Sequence, residues 1–515
     1  MTALLPNFVS GRWQAGTGAG ITLLDPVLGT ALVRVDATGL DLPGAFDFAR
    51  RQGSAALQAL TYRERAALLA KVGQLLQAHR DAYDAIATAN SGTVKNDSAV
   101  DIDGAIFTLG QYARWGDALG DARALRDGEP VRLAKEAFQA QHVQVPRPGL
   151  ALFINAFNFP AWGLWEKAAP ALLSGMAVVV KPATATAWLT QRMVQDVVDA
   201  GILPAGALSI VCGSSAGLLD ALEPFDVVSF TGSADTAAVI RSHPALARHA
   251  VRANIEADSL NSALALPDAT PGTPAFELLV REVVREMTVK SGQKCTAIRR
   301  ILVPEAVYGA AAEAIAAKLA KVSTGNPRNA GVRMGALVSR AQFDTVQQGV
   351  AQLARTAEIL HDGRTQPLVD ADPAVAACVA PVLLGTRDAD GAQAVHDLEV
   401  FGPVATLLAY RDVPHALALA RRGQGSLVAS LYGDDAALLG RSALALAASH
   451  GRVHVVTPEV AQVHTGHGNV MPQSLHGGPG RAGGGAELGG LRALDFYHQR
   501  SAVQASPQVL AALGL

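Results

Sequence analysis

The sequence predicts an α/β protein built on parallel sheets, and two observations carry that expectation. Between residues 143 and 263 short apolar runs alternate with helical segments, and beyond a long amphipathic helix a second alternating block runs on to the segment GRVHVV. Strands that alternate with helices form βαβ units, and parallel strands covered on both faces read as unbroken apolar runs. Size and composition agree. At 515 residues the chain has room for two to four structural units, and 50% hydrophobic against 17% charged residues excludes a disordered scaffold. Mean hydropathy is +0.22.

The elements follow in order. As far as Leu40, short β-type runs are separated by Gly and Pro turns. Leu68, Leu69, Val72, Leu75 and Leu76 then recur at helical spacing, and Thr61 with Glu64 makes a capping box ahead of them. The run ALFIN predicts the first core strand, followed by a helix through Trp165 to Leu173, the strand AVVVK, a helix through Val198, and the strands LSIVCG and DVVSFTG. Phe276, Leu279, Val280, Val283, Val284 and Met287 share one face of a helix expected to end at Gly292. The Gly-rich stretch 475–490 reads as an ordered loop or a flexible tail.

Forty-three Lys and Arg against 45 Asp and Glu leave a net charge of -2, so no global basic field exists to hold nucleic acid or an anionic membrane. The apolar stretch between Lys167 and Lys181 is interrupted by Pro and Gly and is too short to span a bilayer. The first residues show no basic segment followed by an apolar run, so a cytoplasmic location is expected. Cys212, Cys295 and Cys378 cannot make a disulfide framework over this length, and free thiols in a reducing compartment fit better.

Cys295 stands apart from the other two thiols, which sit in apolar runs. It lies beyond the long helix in a small polar stretch that exposes a thiol, with Lys290 and Lys294 placed to favour the thiolate; the competing reading is a buried structural Cys. A nucleophile needs an oxyanion partner and a base. Asn158 follows the strand ALFIN, where an amide serves either a ligand or a turn, and Lys167 stands nine residues on in the next helix. Glu256 ends the alternating run Val251, Ala253, Ile255, as a base or as a surface acid. Phe230, Thr231, Gly232 and Ser233 close another strand, where Gly lets a helix N-terminus approach a phosphate. Lys181 ends AVVVK, positioned for a nucleotide ribose or for solvent. His450, His454, His464, His467 and His476 read as polar loop histidines, and no metal site is expected.

Taken together these motifs resemble the aldehyde dehydrogenase superfamily along nearly the whole chain: Asn-Phe-Pro at Asn158, Lys-Pro-Ala at Lys181, Phe-Thr-Gly-Ser at Phe230, the acid Glu256, Gly-Gln-x-Cys at Cys295, and Glu-x-Phe-Gly-Pro from Glu399 to Pro403. The resemblance implies Cys295 as nucleophile, Asn158 and the Cys295 N–H in the oxyanion hole, hydride transfer to NAD(P), and Glu256 as the base that activates water. It also implies that Lys181 and Glu399 grip the cofactor riboses and that Phe401 packs near the nicotinamide. NAD-selective relatives place a Glu where this chain has Thr184, so NADP is expected to be preferred, with NAD weaker.

Departures refine the expectation. After Glu256 the usual Leu-Gly-Gly is replaced by Ala257-Asp258-Ser259, Ala237 stands where a second Gly is common, and a literal Glu-Leu-Gly-Gly occurs only at Glu487. Glu487 is therefore not taken as the base, and its replacement is expected to leave the chemistry largely intact. These features, with HGGPGRAGGGAELGG, resemble the branch that oxidises CoA-linked semialdehydes in phenylacetate and benzoyl-CoA breakdown, and among its members the type without an added hydratase domain.

The resemblance implies three parts: an NAD(P)-binding domain over 1–124 and 148–260, a catalytic domain over 261–470, and a β oligomerisation extension over 125–147 and 491–515, in a homodimer or homotetramer. Three function classes follow: an aldehyde dehydrogenase that releases free acid, a CoA-acylating dehydrogenase, and a non-catalytic descendant of the fold. Retention of Cys295, Asn158 and Glu256 favours the first.

Overall fold

The apolar runs pair as their alternation predicts. In the computed structural model, which describes residues 2–135 and 137–515, they build two large sheets of seven strands each. The first has the order Arg252–Glu256, Val227–Thr231, Leu150–Ile154, Ala177–Lys181, Leu208–Ile210, Asn7–Val9, Arg12–Gln14. Its first five strands are parallel, and the pair Asn7–Val9 and Arg12–Gln14 closes the far edge in antiparallel fashion. Register sets function here. Ile154 lies beside both Lys181 and Phe230, and Thr231 lies beside Glu256, so the four strand ends open on one edge of the sheet, where α/β proteins place ligands.

The second sheet has the order Glu358–Asp362, Val382–Thr386, Val404–Tyr410, Arg300–Pro304, Ser262–Ala265, Ser426–Tyr432, His450–Val456, parallel except for its first pair. A third sheet of three antiparallel strands joins Leu125–Arg132, Gln139–Pro146 and His498–Ala505; position 136, within the expected extension, lies outside the described residues. Among the described residues no helix is long and apolar enough to cross a membrane.

Helices cover both faces of the large sheets. Tyr62–Ala78 begins with the capping box of Thr61 and Glu64 and buries Leu69, Val72 and Leu76, leaving Leu68 and Leu75 half-buried at the stripe's margin. Trp162–Leu173 is buried along its whole length, in keeping with an almost unbroken apolar sequence. Pro274–Thr288 starts with Pro in its first turn under a Thr273 cap and buries Phe276, Leu279, Val280, Val283 and Met287. The α-helix stops at Thr288, short of the Gly292 end expected from sequence, because Lys290 and Ser291 take φ of 53° and 54° and break the ladder.

Candidate active site

The nucleophile candidate is held by a strained turn. Lys290, Ser291 and Gly292 are three consecutive left-handed residues, a conformation that non-glycine residues adopt only when their surroundings fix it. The Lys290 N–H donates to Asp97 at 2.8 Å, and the Ser291 hydroxyl donates to the Gly335 carbonyl at 3.0 Å. At Gly292 a Cβ would stand 2.2 Å from the Gly402 carbonyl oxygen, so only glycine allows this approach to the segment Glu399 to Pro403. Arg299 ties the same two segments together, donating to Gly402 at 2.8 Å and to Gly292 at 3.0 Å.

Cys295 follows this turn. Its carbonyl accepts from Asn261 Nδ2 at 2.8 Å, and among the described residues no backbone carbonyl takes up its own N–H. The thiol is half-buried at the end of a cavity of about 250 Å³ lined by Ala99, Val100, Phe107, Phe159 and Trp162, with the exposed Asp103 and Phe107 at the outer end. Burial, and then the carboxylates of Glu256 and Glu399, push the thiol well above its ordinary range. Lys294 favours the thiolate, as expected, but burial and the two carboxylates outweigh it. Lys294 is itself bound to Glu286 at 2.7 Å, and Lys290 lies 3.7 Å from Asp101 and over the Phe159 ring.

Asn155, Asn158, Lys167, Thr231, Glu256 and Cys295 line one small cavity, where the open edge of the first sheet meets the turn that carries Cys295. Asn158 is buried in the loop after Leu150–Ile154, and its amide makes no hydrogen bond to another described residue. Thr186 and Thr190 hold that loop by donating to the carbonyls of Phe157 and Pro160, and Asp101 accepts from the Trp162 N–H at 2.7 Å. Glu256 is buried at a strand end rather than salt-bridged on the surface. Burial favours its neutral form, but His476, Lys167 and Cys295 outweigh that and bring the carboxyl down to about 2. The proton therefore rests on sulfur rather than on the carboxylate.

Behind Glu256 lies a buried charge cluster that the sequence did not announce. Burial opposes the charge of Lys167, yet Glu166, Glu487 and Glu256 hold it protonated. Its ammonium contacts Glu166 directly and lies 3.4 Å from Glu487. Glu166 is raised well above the carboxylate range by burial and by Glu487. Glu487 also accepts from Ser229 at 2.9 Å and Asn254 at 2.6 Å. It is not the acid beside Cys295, but neither is it a bystander.

Glu487 arrives on the Gly-rich stretch, which is ordered: Leu475–Gly477 pairs antiparallel with Ala486–Leu488. Gly483 and Gly485 press on the strand bearing Glu256, where a Cβ would stand 2.2 and 2.5 Å from the Ile255 carbonyl oxygen. The hairpin also delivers His476, whose Nε2 stands 3.0 Å from Glu256 Oε2. The approach is off the N–H direction, and Nε2 has no hydrogen-bond partner. The loop reading of the histidines is thus corrected. His450, His467 and His476 are buried, His467 meets Ser430 at 2.8 Å, and His454 pairs with His464. Among the described residues one set of His, Cys and acid donors clusters tightly: Glu256, Cys295 and His476, with donor atoms within 4.8 Å of one another.

The open sheet edge fits a nicotinamide dinucleotide. Glu399 Oε1 and Thr231 Oγ1 are buried without hydrogen-bond partners, as acceptors awaiting hydroxyls would be. Glu399 is fixed by the Ser259 N–H at 3.0 Å, which gives the unusual Ala257-Asp258-Ser259 segment a structural task. Phe401 packs edge-on to Phe157 at 5.7 Å. At Gly232 a Cβ would meet the Phe230 ring at 2.5 Å. Ser233 caps the helix Ala234–Arg241, but the Ala234 N–H is already taken by Asp258 at 3.0 Å, so this helix end is partly occupied by the protein's own carboxylate. Lys181 is half-buried, and burial draws its ammonium below the usual lysine range, while Thr184 donates to the Gly213 carbonyl at 3.3 Å.

A model of the aldehyde dehydrogenase family matches residues 13–503. The chain belongs to the aldehyde dehydrogenase family. It is 58% identical over 478 residues to the 3,4-dehydroadipyl-CoA semialdehyde dehydrogenase of Aromatoleum evansii, covering 92% of this chain and 93% of that one. It is also 47% identical over 183 residues to Protein MaoC of Klebsiella aerogenes, a match of 35% of this chain that spans 53% of that protein. Among solved structures, lactaldehyde dehydrogenase from Escherichia coli superposes with a TM-score of 0.85 over 98% of this chain and 99% of its own, at 22% identity, a likeness of fold. This aldehyde dehydrogenase is an oxidoreductase that uses NAD(P), and its activity must be built from the side chains gathered around Cys295.

Proposed function

We propose that the enzyme oxidises 3,4-dehydroadipyl-CoA semialdehyde to the free acid with NADP, in the cytoplasm, as a step in aromatic degradation through benzoate or phenylacetate. The observation that carries this reading is the 58% identity to a dehydrogenase of that name across 92% of the chain. The apolar cavity leading to Cys295 agrees with it, since it suits a straight acyl chain whose polar remainder stays outside near Asp103 and its partner Arg80.

Cys295 Sγ gives up its proton to solvent and, as thiolate, bonds to the aldehyde carbon, whose oxygen takes the electron pair of the carbonyl bond. Asn158 Nδ2 and the Cys295 N–H donate to that oxygen. The hydride of the former aldehyde carbon would leave to NAD(P), which supplies the acceptor when bound. The product on sulfur is a thioester. Glu256 takes a proton from water, whose oxygen attacks the thioester carbon, and the C–S bond breaks to release the acid and restore sulfur. Lys167 holds Glu256 in place from behind, and Glu399, Phe401, Lys181, Thr184 and the segment Phe230 to Ser233 orient the cofactor. A base beside the thioester favours hydrolysis over transfer to free CoA.

The three parts expected from sequence serve this division of labour, with the small antiparallel sheet as the oligomerisation element. Its outer strands, Leu125–Arg132 and His498–Ala505, are largely exposed and lie at the two edges of the sheet, where a second copy would pair to give a homodimer or homotetramer. The test of function is kcat/KM for the CoA-linked semialdehyde against the free semialdehyde, with product identified as free acid or thioester. A clear advantage for the CoA-linked form and release of acid are expected. Equal values would refute CoA recognition, and a thioester product would refute hydrolysis.

A further inference from the structure

We propose that Cys295, Glu256 and His476 form a site for a divalent metal ion, Zn²⁺ in particular, whose occupancy reversibly inhibits the enzyme. The three donors come from separate segments: the turn after Pro274–Thr288, the strand Arg252–Glu256 and the hairpin strand Leu475–Gly477. Their ligating atoms all lie within 4.8 Å of one another. Zinc prefers this mixture of thiolate, imidazole and carboxylate, and bonds of about 2.0–2.2 Å to nitrogen and oxygen in a tetrahedron put those two donors roughly 3.3 Å apart. The observed separation of His476 Nε2 and Glu256 Oε2 is 3.0 Å.

Two of the donor residues carry atoms that the protein leaves unsatisfied. His476 Nε2 and Glu256 Oε1 are both buried without a hydrogen-bond partner, a cost that native structures rarely accept without a role for the atom. The His476 ring is fixed by edge contact with Trp162, with 5.6 Å between ring centroids.

Charge closes as well. A dication bound by one thiolate, one carboxylate and a neutral imidazole leaves no net charge in the buried site, the thiol proton passing to solvent as the metal–sulfur bond forms. Of the cations near the site, Lys167 is countered by Glu166 and Glu487, Lys294 by Glu286 and Arg299 by Glu399, while Arg452 donates to the His467 carbonyl. Entry runs along the cavity that ends at Cys295. Three protein donors leave a fourth position for water, yet the ion would occupy sulfur and tie up Glu256, so neither attack on aldehyde nor activation of water remains available.

Two measurements test this. With Co²⁺ as probe, metal-free enzyme is expected to show a thiolate-to-metal charge-transfer band in the near ultraviolet that is absent from Cys295→Ala and weakened in His476→Phe. This readout needs no turnover, so it stands or falls separately from the assignment of function. With Zn²⁺, inhibition is expected to reverse on adding a chelator. His476→Phe, scored against its own zinc-free rate, should need about tenfold more zinc or greater, the usual scale for loss of a group supporting a metal; His476→Gln serves if the Phe variant does not fold. A Cys212→Ser, Cys378→Ser double variant should remain as sensitive as the parent. Absence of the cobalt band, undiminished zinc sensitivity in the His476 variant, or loss of sensitivity in the double variant would overturn the proposal.

Discussion

His476 and Glu487 are register partners, directly opposite each other across the hairpin of Leu475–Gly477 and Ala486–Leu488. Side chains so opposed share a face of the ribbon, and these two reach different members of one buried system, His476 approaching Glu256 at 3.0 Å and Glu487 approaching Lys167 at 3.4 Å. The C-terminal Gly-rich stretch is therefore part of the wall of the active site.

Glu487→Gln tests that connection. With one carboxylate of the Glu166, Lys167 and Glu487 set made neutral, Lys167 loses a counter-charge and draws more strongly on Glu256, weakening it as a base, where the sequence alone led to an expectation of largely intact chemistry. A full first-turnover burst of NAD(P)H is expected, followed by steady turnover slowed by about tenfold or more. Stopped-flow absorbance checks this; steady turnover at the parent rate would leave Glu487 a packing residue only.

Gly485→Ala tests the hairpin's seat. The new Cβ would stand 2.5 Å from the Ile255 carbonyl oxygen and 2.6 Å from Asn254 Oδ1, both fixed groups. Overpacking of this kind costs about 1–3 kcal/mol, so thermal midpoint and activity should fall together. Gly440→Ala, on an exposed helix position with nothing within 4 Å, should instead hold or slightly raise the midpoint. Equal effects of the two changes would contradict the close approach.

Much of this site was legible in the sequence, and the limits are physical. The parallel runs ending at Ile154, Lys181, Thr231 and Glu256 announced both the strands and the shared edge, because buried parallel strands carry an apolar code and their ends carry the exceptions. Cys295, Asn158 and Glu256 were legible as motifs, and the cavity they share agrees with that reading. Glu166 and His476 were not, since a buried acid next to a lysine in an apolar helix, or a histidine in a Gly-rich stretch, looks like any solvated polar residue until tertiary contacts are known. The signal for the hairpin was its glycine spacing, which marks close backbone approach as readily as flexibility. The helix ends at Thr288 rather than Gly292 for a related reason: positive φ at Lys290 and Ser291 is imposed by Asp97 and the Gly335 carbonyl, both distant in sequence.

Glu399 predicts a pH dependence of cofactor binding. Burial raises its carboxyl, against the pull of Arg299, to about 7. A raised carboxyl loses its proton as pH climbs through that value, and the ionised form is the better acceptor for ribose hydroxyls. Affinity should therefore strengthen by up to about tenfold between pH 6 and 8. NAD is the ligand to use, because the 2′-phosphate of NADP itself titrates in this range. Glu399→Gln should flatten the profile, and an unchanged slope in that variant would assign the effect to another group.

Thr184→Glu tests cofactor choice. A carboxylate here accepts hydrogen bonds from the adenosine ribose and repels a 2′-phosphate, so the ratio of kcat/KM for NADP over NAD should fall by at least about tenfold, a change of roughly 1.4 kcal/mol. A variant that keeps the parent ratio would place cofactor selectivity elsewhere.

The central claim is that Cys295 carries the substrate as a thioester until Glu256 activates water. Mixing Glu256→Gln enzyme with NADP and the CoA-linked semialdehyde, then quenching and mapping peptides by mass spectrometry, tests it most directly. The predicted result is one acyl adduct on the peptide containing Cys295, formed with one equivalent of NADPH and absent from Cys295→Ala. NADPH produced without an adduct, or an adduct on Cys212 or Cys378, would contradict it.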